Sequence, residues 1–359
     1  MTPRENLLSL YRRSGYEFMP VTLPMSPAAA KKMRDALGPD TDPGEYYGYP
    51  EGFALAVAPA AGLRSEQDVD WRQFYDRELR PETGFDPYGV AREGGFEGAH
   101  HLNLMHHPMA NFDSLDQMKA YPWPEWDFDA VDPVKEAVEE AHAEGLPILG
   151  AMGCTVWEKA WYIRDMTALM MDMTMEDEKA TYLLDRITAD AVGRARLFGK
   201  AGVDILHVGD DIGMQNSIMM SVDMYCQWLK PRLAEVLAAA REEKPDIIIR
   251  YHSCGYVEPF IPHLIEAGVD VLNPVQPECM DFAKLHAEYG DVLSFDGTIG
   301  TQTTMPFGTP DDVRGAVKRN LDIAGPRGGL TAAPTHVLEP EVPWENIEAY
   351  ITACREYRP

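Results

Sequence analysis

The chain is short of basic residues and has no long apolar run. Of its 359 residues, 32 are Lys or Arg against 58 Asp or Glu, giving a formal charge of −26. That balance argues against a nucleic-acid partner, because phosphate binding depends on clustered cations and counterion release. It also disfavours an anionic membrane surface and, more weakly, a substrate carrying many carboxylates. No stretch approaches the roughly 18 consecutive apolar residues that span a bilayer, so no membrane association is expected. Cysteine is sparse: five are scattered along the chain, an odd number that fits no disulfide framework. The opening Met1-Thr-Pro-Arg-Glu-Asn-Leu-Leu lacks the basic-then-apolar order of a secretory signal. A cytoplasmic protein with reduced thiols is the expectation. The phosphate loop Gly-x-x-x-x-Gly-Lys-Ser/Thr, the nucleophile elbow Gly-x-Ser-x-Gly and a Gly-x-Gly-x-x-Gly after a strand are all missing.

What is present is enough apolar material for a large core, 45% of the residues. Residues 1–130 are irregular and rich in Pro, Gly and aromatics, whereas 131–359 alternate helical and strand-like segments. Asp132 as N-cap and Pro133 open a helix over 132–144, and Leu146–Met152 follows as a strand. Leu183, Leu184, Ile187 and Val192 share one face of a helix over 176–200 that Gly202 ends. Strands are predicted over 203–209, 247–252, 269–275, 292–297 and 329–334. The helices between and after them fall at 222–243 (kinked at Pro231), 257–267, 281–289, 310–324 and 343–357. An unbroken βα alternation demands a parallel sheet with right-handed crossovers. Glu17–Leu23 supplies the first of eight strands, so the expectation is an α/β fold. It is a single (β/α)₈ TIM barrel spanning 1–359, its irregular N-terminal part forming the first strand and a lid. An open doubly wound sheet is the alternative.

The polar residues gather where such a barrel carries its chemistry, at the carboxyl ends of the strands. In order these ends hold Cys154 and Glu158; His207, Asp210, Asp211 and Gln215; His252 and Cys254; Asn273 and Gln276; Asp296 and Gln302; Thr335 and His336. His252-Ser-Cys254-Gly is the sharpest element. On an extended segment, residues two apart point the same way, so an imidazole and a thiolate can reach one ion. Zinc accepts that mixed donor set, and a catalytic zinc keeps one position open. The bland counterpart is a buried cysteine beside a hydrogen-bonded histidine. His336 is the best-placed third ligand, with Cys279, Cys154, His207 and Glu158 as others.

Asp210 and Asp211 can orient a histidine, hold a cation or exchange a proton; alternatively they cap the helix that follows. His100-His101 and His106-His107 look like a metal tract, but the surrounding sequence fits a hairpin or loop better. Cys279 fits a loop, and Cys226 and Cys354 fall within helices. Met166, Met170, Met171, Met173 and Met175 crowd near one helix, as core or as an adaptable surface for a large flat cofactor.

Several ordered motifs resemble the uroporphyrinogen decarboxylase superfamily. They are His252-Ser-Cys-Gly-Tyr-Val-Glu-Pro-Phe-Ile-Pro-His-Leu-Ile-Glu-Ala-Gly-Val-Asp-Val-Leu-Asn-Pro-Val-Gln-Pro, Gly209-Asp-Asp-Ile-Gly, Phe295-Asp-Gly-Thr-Ile-Gly-Thr-Gln and Ala333-Pro-Thr-His-Val-Leu-Glu-Pro. The resemblance runs from about residue 84 onward and implies a (β/α)₈ barrel. That superfamily holds porphyrinogen decarboxylases and zinc-dependent methyltransferases that work with corrinoid proteins or thiol acceptors. The decarboxylases carry Met-Arg-Gln-Ala-Gly-Arg after the first strand. Here Pro20-Val-Thr-Leu-Pro-Met-Ser-Pro holds no arginine to grip a polyanionic macrocycle. His252 and Cys254 match the first two zinc ligands of the methyltransferase branch. Where its later cysteine belongs, this chain has Pro334-Thr335-His336, so His336 replaces it, a carboxylate such as Glu158 does, or the site is metal-free. Trp157-Glu158-Lys-Ala-Trp161 resembles the subgroup that demethylates small methylated compounds.

The resulting expectation is an enzyme: a Zn²⁺-dependent methyltransferase moving a methyl between a small O-, N- or S-methyl compound and a corrinoid or thiol acceptor. Its metal ligands would be His252, Cys254 and His336, and its catalytic carboxylates Asp210, Asp211 and Glu158. Its substrate contacts would be His207, Gln215, Asn273, Gln276 and Asp296. A corrinoid protein is the implied partner, and barrels of this type often pair as homodimers. The alternatives are a metal-independent decarboxylase of a smaller acid, with Asp211 and His336 as the acid–base pair, and a corrinoid- or tetrapyrrole-binding protein without turnover.

Overall fold

A computed structural model of the chain describes residues 1–38, 46, 55–57, 63, 69–94 and 103–358. Its strands are β1 (Leu55–Val57), β2 (Gly84–Phe85), β3 (Ala91–Gly94), β4 (Asn103–His106), β5 (Ile148–Gly153), β6 (Ile205–Gly209), β7 (Ile248–His252), β8 (Val271–Asn273), β9 (Ser294–Asp296) and β10 (Leu330–Thr331). β1 and β5 to β10 form one sheet in that spatial order, and every pairing in it is parallel. Strands that neighbour each other in chain order, with helices returning between them, make the α/β barrel that the βα alternation demands. β2, β3 and β4 form a separate antiparallel sheet.

The helices follow from capping and from apolar stripes. Glu178–Ala201 starts at Asp177, whose carboxylate accepts from the Lys179 N–H, and ends at Gly202 in the left-handed conformation. Leu183, Leu184, Ile187, Ala191, Ala195 and Phe198 are all buried along it, at helical spacing. Each buried Leu or Ile of this kind contributes about 1.5–3 kcal/mol over its exposed state. The strand side chains beneath, Ile205, Leu206, Ile249, Val271, Leu272 and Phe295, are fully buried. Parallel strands covered on both faces have this composition.

Several sequence expectations need correction. Glu17–Leu23 forms no ladder; Val21 and Met25 make only single-residue bridges, Met25 with Leu338. Pro20 removes a ladder donor within this stretch and Pro24 another just after it. Asn6 takes up part of its backbone instead, accepting from the N–H groups of Glu17 and Phe18 and donating to the Phe18 carbonyl. The strand beside β5 is β1, inside the part read as irregular. Asp132 is the first helical residue, with Val131 in the cap position and no side-chain cap. The segment 222–243 is two helices, Val222–Trp228 and Lys230–Glu243, broken before Pro231. Over 257–267 a 3-10 turn, Glu258–Phe260, precedes the helix Ile261–Ala267.

His100 and His101 lie outside the described residues. The hairpin reading of this tract holds for β3 and β4, where His106 pairs with Ala91 and its ring Nε2 lies 3.6 Å from Glu93. The methionines divide: Met173 is buried, whereas Met171 and Met175 are exposed. No described helix is long and apolar enough to cross a membrane.

Candidate metal centre at the barrel mouth

The strand register sets the geometry. Gly209 of β6 lies opposite His252 of β7, which lies opposite Asn273 of β8. Glycine is required in the first position. Its φ is +146°, and a Cβ there would fall 2.2 Å from the His252 carbonyl oxygen. The chain then turns out of β6 through Asp210 and Asp211, and out of β7 through Ser253 and Cys254. Ser253 Oγ ties the two turns together by accepting from the Ile212 N–H at 3.0 Å.

Asp211, His252 and Cys254 converge there, with one ligand atom from each within 4.8 Å of the others. Cys254 Sγ is 3.6 Å and Asp211 Oδ1 3.7 Å from His252 Nε2. Two ligand atoms on one tetrahedral ion, at about 2.0 Å for nitrogen and about 2.3 Å for sulfur, lie about 3.5 Å apart. Both separations from His252 Nε2 are close to that spacing, and all three donors lie within 4.8 Å of one another. Asp211 Oδ1 also accepts the Cys254 backbone N–H at 2.7 Å, which fixes the carboxylate beside the thiol.

The imidazole is oriented from behind. Asn273 Nδ2 donates to the Asp296 carbonyl at 2.9 Å, which settles the amide's direction. Its Oδ1 therefore faces His252 Nδ1 at 2.7 Å and accepts from it. The proton sits on Nδ1 and the Nε2 lone pair points at the cluster, the arrangement by which an outer group fixes a metal-ligating histidine. Burial lowers the His252 pKa against the pull of Asp211, favouring the neutral ring a ligand needs. Burial, with Asp211 and Glu158 nearby, pushes the Cys254 thiol up to about 12.

Residues 102–357 match the uroporphyrinogen decarboxylase (URO-D) family. The chain belongs to that family. Among solved structures, a methyltransferase from Methanosarcina mazei superposes with a TM-score of 0.68 at 18% identity, covering 99% of each chain. A B12-independent methionine synthase from Shewanella sp. W3-18-1 reaches a TM-score of 0.41 at 14% identity, covering 62% of this chain and 64% of its own. Xylanase 10B from Thermotoga maritima reaches 0.40 at 14% identity, covering 64% and 80%. At these identities the likeness concerns the fold, and only the first is close enough to carry weight. No curated protein sequence matches the chain.

In this URO-D family member the other expected site residues take distinct places. His336 is exposed and lines a cavity of about 360 Å³ together with Cys254, Gly255, Gln276, Gln215 and Gln302. It is not a member of the three-residue cluster, where Asp211 holds the third place. Gln215 and Gln302 exchange two amide hydrogen bonds, at 3.0 and 3.1 Å. Gln276 Oε1 accepts the Gly255 N–H and so holds the turn after Cys254.

The two adjacent aspartates have separate surroundings. Asp210 is buried and accepts from the N–H groups of Val156 and Glu158, capping the helix Trp157–Arg164. That helix precedes it in sequence, not the one that follows. Burial raises the Asp210 pKa to about 6 against those hydrogen bonds. Glu158 bridges to the cluster: Oε2 accepts the Asp211 N–H at 3.2 Å, and Oε1 accepts the Tyr162 hydroxyl at 2.9 Å. Burial, and then Asp210 and Asp211, push Glu158 up to about 7. Cys154 Sγ lies 3.4 Å from the Tyr162 hydroxyl, and burial drives its thiol up to about 12.

Below the cluster lies a polar layer inside the barrel. Arg250 Nη1 donates to His207 Nδ1 at 2.8 Å, and Arg250 Nε pairs with Asp296 Oδ2 at 2.5 Å. Thr331 Oγ1 donates to Asp296 Oδ1 at 2.6 Å. Burial, then the Arg250 charge, holds the His207 pKa well below its ordinary value. Arg250 thus bridges His207 and Asp296 inside the barrel. Sequence reasoning missed Arg250, although a charged residue two positions before His252 in an apolar strand is itself a signal. It also missed Tyr162, four residues after Glu158 and hence on the same helical face.

Proposed function

We propose that the protein is a zinc-dependent methyltransferase, moving a methyl group between a small O-, N- or S-methyl compound and a corrinoid or thiol acceptor. The observation that carries this reading is the convergence of Asp211, His252 and Cys254, with Asn273 presetting the Nε2 lone pair. Zn²⁺ held by these three would supply Lewis acidity to a heteroatom or thiolate in an open fourth position. The remaining work falls to the protein. Asn273 fixes the histidine, Gln276 holds the turn that carries Cys254, and Glu158 clamps the Asp211 backbone. The Gln215–Gln302 amide pair offers donors and acceptors at the mouth, where a substrate heteroatom or a corrinoid side chain would arrive.

The test is metal analysis of the purified protein, followed by incubation with methylcobalamin or reduced cobalamin and a panel of methylated compounds. Cys254→Ser is expected to lose both bound zinc and turnover. Full activity in zinc-free protein would exclude this chemistry and return the metal-independent decarboxylase to consideration.

A further inference from the structure

The cavity that Cys254 opens into is furnished with carboxamides. Its volume is about 360 Å³, and Gln215, Gln276 and Gln302 line it together with the thiol. Gln276 is the most buried of the three, 5% exposed. A backbone contact settles which way its amide points. The Gly255 N–H can only donate, so the atom that accepts it is Oε1, and the NH₂ group takes the other side of the amide. The Cys279 thiol approaches the same oxygen, at 3.8 Å. Nε2 has no acceptor among the described residues. Gln276 therefore offers the cavity a preset donor.

Gln215, after β6, and Gln302, after β9, already bind a carboxamide, namely each other. Each donates to the other's oxygen, at 3.0 and 3.1 Å. An amide that has made one such exchange still holds a second N–H and a second lone pair, so the pair presents both donors and acceptors. The charge of the lining narrows the choice of ligand. Among the described residues that line the cavity, Glu339 is a carboxylate and none is lysine or arginine. An anionic ligand would meet that carboxylate, in a chain whose formal charge is −26, with no guanidinium fork to grip it. A protonated methylamine suits the charge but brings no lone pair for Gln276, and would bury an unsatisfied donor.

We infer that this cavity selects a neutral methyl compound bearing a carboxamide or lactam, whose carbonyl oxygen accepts from Gln276 Nε2 while its amide edge meets the Gln215–Gln302 pair. This rests on the proposed methyltransferase site for the identity of the reacting group, but the amide contact itself needs neither metal nor turnover. Gln276 thereby joins two tasks in one side chain. Its oxygen holds the turn that carries Cys254, and its nitrogen selects the molecule brought to that thiol.

The test is equilibrium binding to the full-length protein by calorimetry at about pH 8, where an amine is protonated and a glutamate ionised. One set of probes is 4-methoxybenzamide, 4-methoxybenzoate and 4-methoxybenzylamine; a smaller set is methoxyacetamide, methoxyacetate and 2-methoxyethylamine. Within each set the size is nearly fixed and only the polar group changes. The wild-type protein is expected to bind at least one amide about tenfold or more tightly than the acid and the amine of its set. Gln276→Glu keeps an oxygen for the Gly255 N–H and replaces only the donor. It should weaken the amide about three- to tenfold, strengthen the amine and retain zinc uptake. Gln276→Met, which adds no charge, should weaken the amide by a similar factor without strengthening the amine. A wild-type protein that binds no amide, or binds the acid or the amine as tightly, overturns the inference, as does an amide preference that survives in both variants. If the preference is present and lost in the variants while the protein neither binds zinc nor transfers methyl, the amide site stands and the methyltransferase reading falls.

Discussion

Asn273→Ala separates metal binding from mere packing at this site. The side chain is buried and makes two hydrogen bonds, accepting from His252 Nδ1 at 2.7 Å and donating to the Asp296 carbonyl at 2.9 Å. Truncation frees the imidazole to rotate or to move its proton to Nε2, where it would block the ligand lone pair. Loss of an outer partner of this kind weakens metal binding about 10- to 100-fold, or about 1.4–2.7 kcal/mol. It also strips a donor from the buried Asp296 carbonyl, at a cost of about 1–3 kcal/mol in stability. Asn273→Asp keeps an acceptor for the Nδ1 proton and lacks the donor, so the two effects come apart. Its metal affinity should remain within a few-fold of wild type while its stability falls. Chelator competition with Co²⁺, read by visible absorption, gives the affinity; urea unfolding in EDTA gives the stability. Folded Asn273→Ala with wild-type affinity, or Asn273→Asp as weak as Asn273→Ala, would refute the orienting role.

Two further substitutions test neighbouring claims. Asp210→Ala removes the carboxylate that accepts from Val156 and Glu158 N–H, and should cost about 2 kcal/mol in urea unfolding of metal-free protein. Asp211→Ala should instead reduce zinc stoichiometry, with a smaller stability change in EDTA; identical behaviour of the two would contradict their separate placement. Arg250→Met leaves Asp296, 1% exposed, as an uncompensated buried charge and should cost about 3–5 kcal/mol. Adding Asp296→Asn should recover part of that loss, and a single-variant cost below about 1 kcal/mol would count against the internal ion pair.

The fold was legible wherever helix caps and strand composition agreed. From residue 131 onward the βα order emerges from Pro133, Gly202 and the β-branched run before His252, because each element there buries a face of its own. Glu17–Leu23 reads as a strand from its apolar pattern, but Pro20 within it and Pro24 after it leave only single-residue bridges there, at Val21 and Met25. Three-residue β1 is too short to show any periodicity. The mouth was legible as a collection, because polar residues after buried strands have few other places to go. Division of labour within it was not. Asp210 and Asp211 are adjacent and chemically identical, yet one turns inward to cap a helix and the other outward to the cluster. That difference is set by a backbone turn, not by residue type. His336 was favoured as third ligand by its position after the last strand, whereas Asp211 reaches the cluster through the β6–β7 register, a long-range property.

The composition of the donor set bears on which substrates the mouth tolerates. Imidazole is neutral, while thiolate and carboxylate are each anionic, so two negative ligands would cancel the charge of a divalent ion. A neutral centre neither attracts nor repels an anionic substrate at short range. Of the neighbouring acidic groups, Glu158 and Asp210 are both pushed upward by burial, which diminishes their charge near neutral pH, while Glu339 lines the same cavity as Cys254. In a chain with a formal charge of −26, an anionic ligand meets long-range repulsion. The affinity of an anionic ligand should therefore rise with ionic strength as the global field is screened. A plain monotonic fall with salt would mean that the protein's overall charge is not felt at the mouth.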